Sequence, residues 1–258
     1  MSTQASRKKL IVANWKMHFN THQSSLLLHK LSEKVETHRD VQVVLIPSTL
    51  ALQSLSLQID HHQFKLGAQN CYWRDEGAYT GEVSATMLRG LVQYVLVGHS
   101  ERRHVFGESE KDITHKVQAV LRNSIRPILC VGETAGERAD GETLHVLHDQ
   151  VVGGLLNVTS EEIKNVVIAY EPVWAIGSGK TVQADDLKQA VEQIRMQVKA
   201  LYGDQAAEDV QVLYGGSVTS DNSAGYLKVT GVDGLLVGGA SLKVEEFASI
   251  IEKAHNKA

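Results

Sequence analysis

Eight apolar runs of strand length, each separated from the next by enough chain for a helix, constrain this sequence more than any other feature. They are Leu10 to Ala13, Val41 to Ile46, Phe64 to Ala68, Tyr94 to Val97, Pro127 to Val131, Val166 to Tyr170, Val210 to Tyr214 and Val232 to Val237. Runs that are apolar throughout suit strands buried on both faces, as in a parallel sheet covered by helices. Parallel neighbours need a crossover between them, and the gaps are long enough to supply one. The gaps also carry helical periodicity. Leu187, Ala190, Val191, Ile194, Val198 and Leu201 fall on one helical face, and Ile113, Val117, Val120 and Leu121 repeat the pattern. Ser109 with Asp112 and Thr159 with Glu162 have capping-box spacing at helix starts, and Asn123 ahead of Pro127 fits a helix end.

Strand then helix, eight times, without a linker or composition break, predicts an α/β protein made of a single (β/α)8 barrel. It would span residues 1–258, with residues 1–8 as a polar N-terminal extension. A doubly wound open sheet is the alternative, against which no G-x-G-x-x-G opens the first helix. A net charge of -4 and a pI near 6.3 exclude a global basic field, so neither nucleic acid nor a membrane is expected as partner and any anion site must be local. The opening residues are polar, and no apolar run approaches the roughly 18 residues of a membrane span, which predicts a cytoplasmic protein. Cys71 and Cys130 are too few for a disulfide scaffold or a thiolate metal site, and Cys130 sits inside an apolar run as a packed, reduced thiol.

In such a barrel the chemistry lies where the strands end, and polar residues collect there. The first strand runs into Asn14-Trp15-Lys16, the fourth into Gly98-His99-Ser100-Glu101, and the sixth into Glu171. The seventh and eighth run into Gly215-Gly216-Ser217 and Gly238-Gly239, where exposed backbone N–H groups can hold an anion such as phosphate. After Glu171 come Pro172, Val173, Trp174, Ala175, Ile176, Gly177, Ser178, Gly179 and Lys180. Hinged by Pro and Gly and carrying Trp and Ile, this segment reads as a lid.

One carboxylate, one imidazole and one ammonium, with no ligand cluster at metal spacing, suit metal-free proton transfer beside a carbonyl. Glu171 would take the proton. His99, at a helix start that disfavours a charged ring, would be a neutral electrophile, and Lys16 and Asn14 would stabilise the developing oxyanion. Two other classes remain open at this point: a Schiff-base aldolase with Lys16 as nucleophile, and a barrel that binds phosphosugars without catalysis.

The segments NWK at 14–16, GAQN at 67–70, GAYTGEVS at 77–84, GHSERR at 98–103, AYEPVWAIGSGK at 169–180, YGGSV at 214–218 and GLLVGGASL at 234–242 resemble the signatures of the triosephosphate isomerase family. The resemblance runs from Lys9 to the C-terminal helix. It implies a TIM barrel that interconverts dihydroxyacetone phosphate and glyceraldehyde 3-phosphate without metal or cofactor. Glu171 would be the base and His99 the electrophile, with Lys16 and Asn14 as electrostatic partners and Ser100 and Glu101 in support. Gly177, Ser217, Gly238 and Gly239 would grip the phosphate, together with Asn14 and Lys16. It also implies a homodimer with the loop 70–84 at the interface and Thr80 near the neighbour's Asn14 and Glu101. The chain departs from the family pattern at His18-Phe19, at Pro47-Ser48 and at Ser178 in the lid, and none of these removes a catalytic group.

Overall fold

The apolar runs form eight parallel strands: β1 Lys9–Asn14, β2 Val41–Ile46, β3 Phe64–Ala68, β4 Tyr94–Val97, β5 Arg126–Val131, β6 Val167–Tyr170, β7 Gln211–Tyr214 and β8 Gly234–Val237. Each pairs with the next, and β1 pairs with β8 in the register Leu10 to Gly234, which closes the barrel. The computed structural model describes residues 7–177 and 179–256, so residues 1–6 of the expected extension and Ser178 of the lid lie outside the described residues.

Strand starts differ from the sequence reading where a neighbouring element claims the first residue. Val166 N–H closes a 3-10 turn on Ile163 O, and Val210 N–H closes a helical turn on Ala206 O. Val232 and Asp233 precede β8 because Asp233 is a bracket: its carbonyl accepts from Leu10 N at 3.0 Å and its Oδ2 from Val212 N at 2.9 Å.

The covering helices are α1 Thr21–Lys34, α2 Thr49–Ser56, α3 Ala85–Leu88, α4 Ser100–His104, α5 Glu110–Arg122 and α6 Ala135–Ala139. They continue with α7 Thr143–Gly154, α8 Ala184–Tyr202, α9 Asp204–Asp209, α10 Ser220–Leu227 and α11 Val244–His255. Ser109 caps α5 through its Oγ and Asn123 ends that helix, as their spacing predicts. Thr159 and Glu162 do exchange hydrogen bonds, but a 3-10 helix follows, so they close a turn and not an α-helix start. On α8 the predicted face is buried except for Leu201, which lies in the last turn beyond the barrel wall and is 44% exposed.

Alternation along each strand divides the core in two. Leu10, Val12, Val44, Ile46, Leu96, Ile128, Val167, Ala169, Leu213 and Leu236 fill the barrel, while Ile11, Ala13, Val43, Leu45 and their equivalents pack outward on the helices. Because both faces are buried, the strands are apolar throughout. Continuing the inward parity past the strand ends brings Asn14, Glu171, Gly215 and Gly238 to the mouth of the barrel. Among the described residues no helix is long and apolar enough to cross a membrane.

Candidate active site

A cavity of about 260 Å³ opens at that mouth, lined by Asn14, Lys16, His99 and Glu171 and by Ile176, Gly177, Ser217, Gly238 and Gly239. The structure therefore brings together the candidates that the sequence places at the ends of five strands.

Glu171 is buried, and its carboxylate has two partners. Oε1 lies 3.0 Å from His99 Nε2, and Oε2 accepts the Ser100 N–H at 2.8 Å. Burial pushes the Glu171 carboxyl up, but the His99 ring and the Ser100 N–H outweigh it and hold the group below its usual range. Gly215 leaves room for this side chain, since a Cβ there would stand 3.0 Å from Glu171 Cγ.

His99 is the N-cap of α4, as expected, and its Nδ1 accepts from Glu101 N at 3.2 Å. That bond needs a lone pair on Nδ1, so in the neutral ring the proton sits on Nε2 and points at Glu171. Burial disfavours the charged ring, yet the Glu171 charge and hydrogen bond together exceed it and raise His99 above the usual imidazole value. With the carboxylate parked here, Glu171 and not the helix start governs the ionisation of this ring.

Lys16 directly follows the buried Trp15 and has φ 51°, a left-handed backbone that costs a non-glycine residue about 1–2 kcal/mol. Three bonds hold it there: Asn14 Oδ1 accepts from Lys16 N at 3.0 Å, Gln69 Nε2 donates to Lys16 O at 2.7 Å, and Lys16 Nζ donates to Glu101 Oε1 at 2.5 Å. The strain aims the ammonium across the mouth instead of outward with the exposed Met17.

The lid segment begins with a 3-10 turn, Val173–Ala175, that tucks Ala175 inside and leaves Trp174 half-buried. Trp174 Nε1 donates to Glu133 Oε1 at 2.8 Å, and Arg138 lies over its ring at 4.2 Å. Glu133 is fully buried and also accepts from Tyr170 OH at 3.1 Å. Ser217 Oγ donates to Ala175 O at 2.6 Å, so one expected phosphate ligand now holds the lid base.

Gln69 and Glu133 escaped the sequence reading of the site. Each lies just past a strand end, β3 and β5, so the rule that found Glu171 applies to both. Cys130 is buried and unpaired, its thiol pushed well above the ordinary value by burial and then by Glu171; Cys71 is likewise buried, its thiol pushed up to about 12 by burial. In the loop 70–84, Tyr72 and Trp73 are half-buried and meet with tilted rings at 5.4 Å between centroids, which leaves Tyr79 as its exposed aromatic. Among the described residues no group of three or more His, Cys, Asp or Glu could hold a metal ion.

A family model described as Triosephosphate isomerase matches residues 9–254. Proteins named Triosephosphate isomerase from Geotalea uraniireducens (strain Rf4), Clostridium tetani (strain Massachusetts / E88) and Thermoanaerobacter sp. (strain X514) are each 42% identical over 246 residues. The aligned region is 95% of this chain and 98%, 96% and 99% of the three relatives.

Proposed function

The chain belongs to the triosephosphate isomerase family, and on that premise we propose that Glu171 is the base and His99 the electrophile of its reaction, the interconversion of dihydroxyacetone phosphate and glyceraldehyde 3-phosphate. The observation that carries the residue roles is the 3.0 Å contact of Glu171 with His99 on the wall of one cavity that Lys16 and Asn14 also line.

Glu171 leaves Ser100 N–H and takes a proton from the carbon beside the substrate carbonyl. His99 Nε2–H gives its proton to the former carbonyl oxygen and the ring takes one back from the neighbouring hydroxyl, while Lys16 Nζ donates to the enediolate oxygens. Glu171 returns its proton to the former carbonyl carbon, which leaves the neighbouring carbon as the new carbonyl. Departure of the carboxylate removes what raises His99, so the ring is neutral when it is needed as a donor. The N–H groups of Gly177, Ser217, Gly238 and Gly239 hold the phosphate while the Ser217 hydroxyl stays on Ala175 O, Lys16 and Asn14 assist, and the lid from Pro172 to Lys180 excludes water. The chemistry runs without metal or cofactor. A coupled assay for glyceraldehyde 3-phosphate, run on protein dialysed against EDTA, tests the reading; absence of turnover would reject the site assignment, and turnover only on adding metal would reject its metal-free form.

A homodimer is part of the same reading, in a cytoplasmic enzyme. A second cleft, of about 300 Å³, lies beside Lys16 and Glu101 and is bordered by the exposed Met17 and Phe106. The tip of the loop 70–84 from a second copy, carrying Tyr79 and Thr80, fits a cleft of that size and apolar rim. Sedimentation that found a fully active monomer at nanomolar concentration would contradict it.

A further inference from the structure

The main chain of Glu171 is braced by the segment at the end of β5. Glu171 N donates to Val131 O at 2.7 Å, and Gly132 follows directly after the end of β5. Gly132 is so close to the base that a Cβ there would fall 1.9 Å from Glu171 O. Val173 N then donates to Glu133 O at 3.0 Å, so residues 131–133 run as a splint along 171–173. The peptide groups of Gly132 lie beyond the strand and inside the protein, and both find Gln150 on the buried face of α7. Gln150 Oε1 accepts from Gly132 N at 2.7 Å, and Nε2 donates to Gly132 O at 3.3 Å.

We infer that Gln150 is a positioning residue for the base: it holds Gly132 against the Glu171 main chain and thereby fixes where the carboxylate stands. Its amide sets an acceptor oxygen beside a donor nitrogen, the complement of a peptide N–H and C=O on one residue. An apolar side chain would leave both buried groups unpaired and free the splint to shift. Gln150 does not line the cavity, so it acts only through Gly132. Of the proposed phosphate ligands, Asn14, Lys16, Ser217, Gly238 and Gly239 sit at or past the ends of β1, β7 and β8, away from this brace. Only Gly177 lies farther along the braced segment, beyond the lid anchors Trp174 and Ala175. Loosening the brace therefore displaces the base while leaving ground-state binding in place.

The inference rests on Glu171 being the base. In Gln150→Met, which keeps the side-chain volume and removes its polar atoms, kcat is expected to fall at least about 10-fold with KM within about twofold. If that variant does not fold, Gln150→Asn replaces it, because its amide is one methylene too short to reach both Gly132 groups. A purely structural role would lower the melting temperature and leave kcat of the folded enzyme unchanged. Folded variant with kcat within twofold of the intact protein, or with the loss carried by KM, overturns the inference. An intact protein without isomerase activity would instead count against the proposed function.

Discussion

Glu171 and His99 face each other with Oε1 of one 3.0 Å from Nε2 of the other. The contact joins the two groups assigned opposite tasks in proton transfer, so the resting arrangement keeps each occupied by its partner. In the proposed reaction substrate has to separate them. The parked carboxylate is also held by Ser100 N–H, and release from both partners restores its basicity as it reaches the substrate carbon.

The pairing carries a pH signature in stability. Glu171 is lowered, so its contribution is present above the ordinary Glu value of about 4.3 and lost as pH falls through its folded value. His99 is raised, so its contribution is complete below the ordinary value of about 6.5 and lost as pH rises through its folded value. The melting-temperature difference between the intact protein and Glu171→Gln is therefore expected to peak between these values and shrink on both sides. A difference that stays flat from acid to alkaline pH would show that the two do not titrate as a pair.

The same substitution separates binding from chemistry. Glu171→Gln keeps the shape and removes the base, so kcat is expected to drop by about 10²–10⁴-fold. KM should change far less, because the phosphate ligands are untouched. Steady-state kinetics decide, and an unchanged kcat would take the role of base away from Glu171.

Much of this site is legible in the sequence because a parallel barrel buries both strand faces. An apolar run that stops at Asn14, His99 or Glu171 marks both an element boundary and a rim position. What could not be read depends on contacts between distant segments. Gln150 lies on a helix and is defined by Gly132, while Trp174 reads as lid surface until Glu133 is seen beneath it. Val232 is apolar enough to be strand, but the brackets made by Asp233 place the ladder's start two residues later.

The backbone at Phe19, next to the departure expected at His18, has a measurable consequence. Phe19 has φ 68° and packs edge-on against Trp15 with centroids 5.9 Å apart. A left-handed backbone costs roughly 1–2 kcal/mol in any residue with a Cβ, and the aromatic pair returns roughly 0.5–1.5 kcal/mol. Phe19→Gly loses the pair and relieves the backbone, whereas Phe19→Ala loses the pair and relieves nothing. Chemical denaturation is expected to find the Gly variant more stable than the Ala variant, the reverse of the usual order. The ordinary order would mean that the conformation at 19 is not the one described.

In the proposed reaction the lid is expected to govern what the intermediate becomes. An enediolate phosphate in contact with water can expel its phosphate, so a closed lid preserves product identity as well as rate. The structure separates the lid's anchor from its tip: Trp174 is held by Glu133, Ala175 is buried and bonded to Ser217, and Ile176 and Gly177 reach the cavity. Deletion of residues 176–179 removes the tip and spares those anchoring contacts. The barrel is expected to fold as before, because Ile176, Gly177 and Gly179 belong to neither half of the core. Isomerisation should fall steeply, since the Gly177 N–H no longer meets the phosphate, and methylglyoxal and inorganic phosphate should appear in its place. The measured quantity is the ratio of methylglyoxal to glyceraldehyde 3-phosphate made by the folded variant. If turnover falls while that ratio matches the intact protein, the tip serves binding or release and protects nothing.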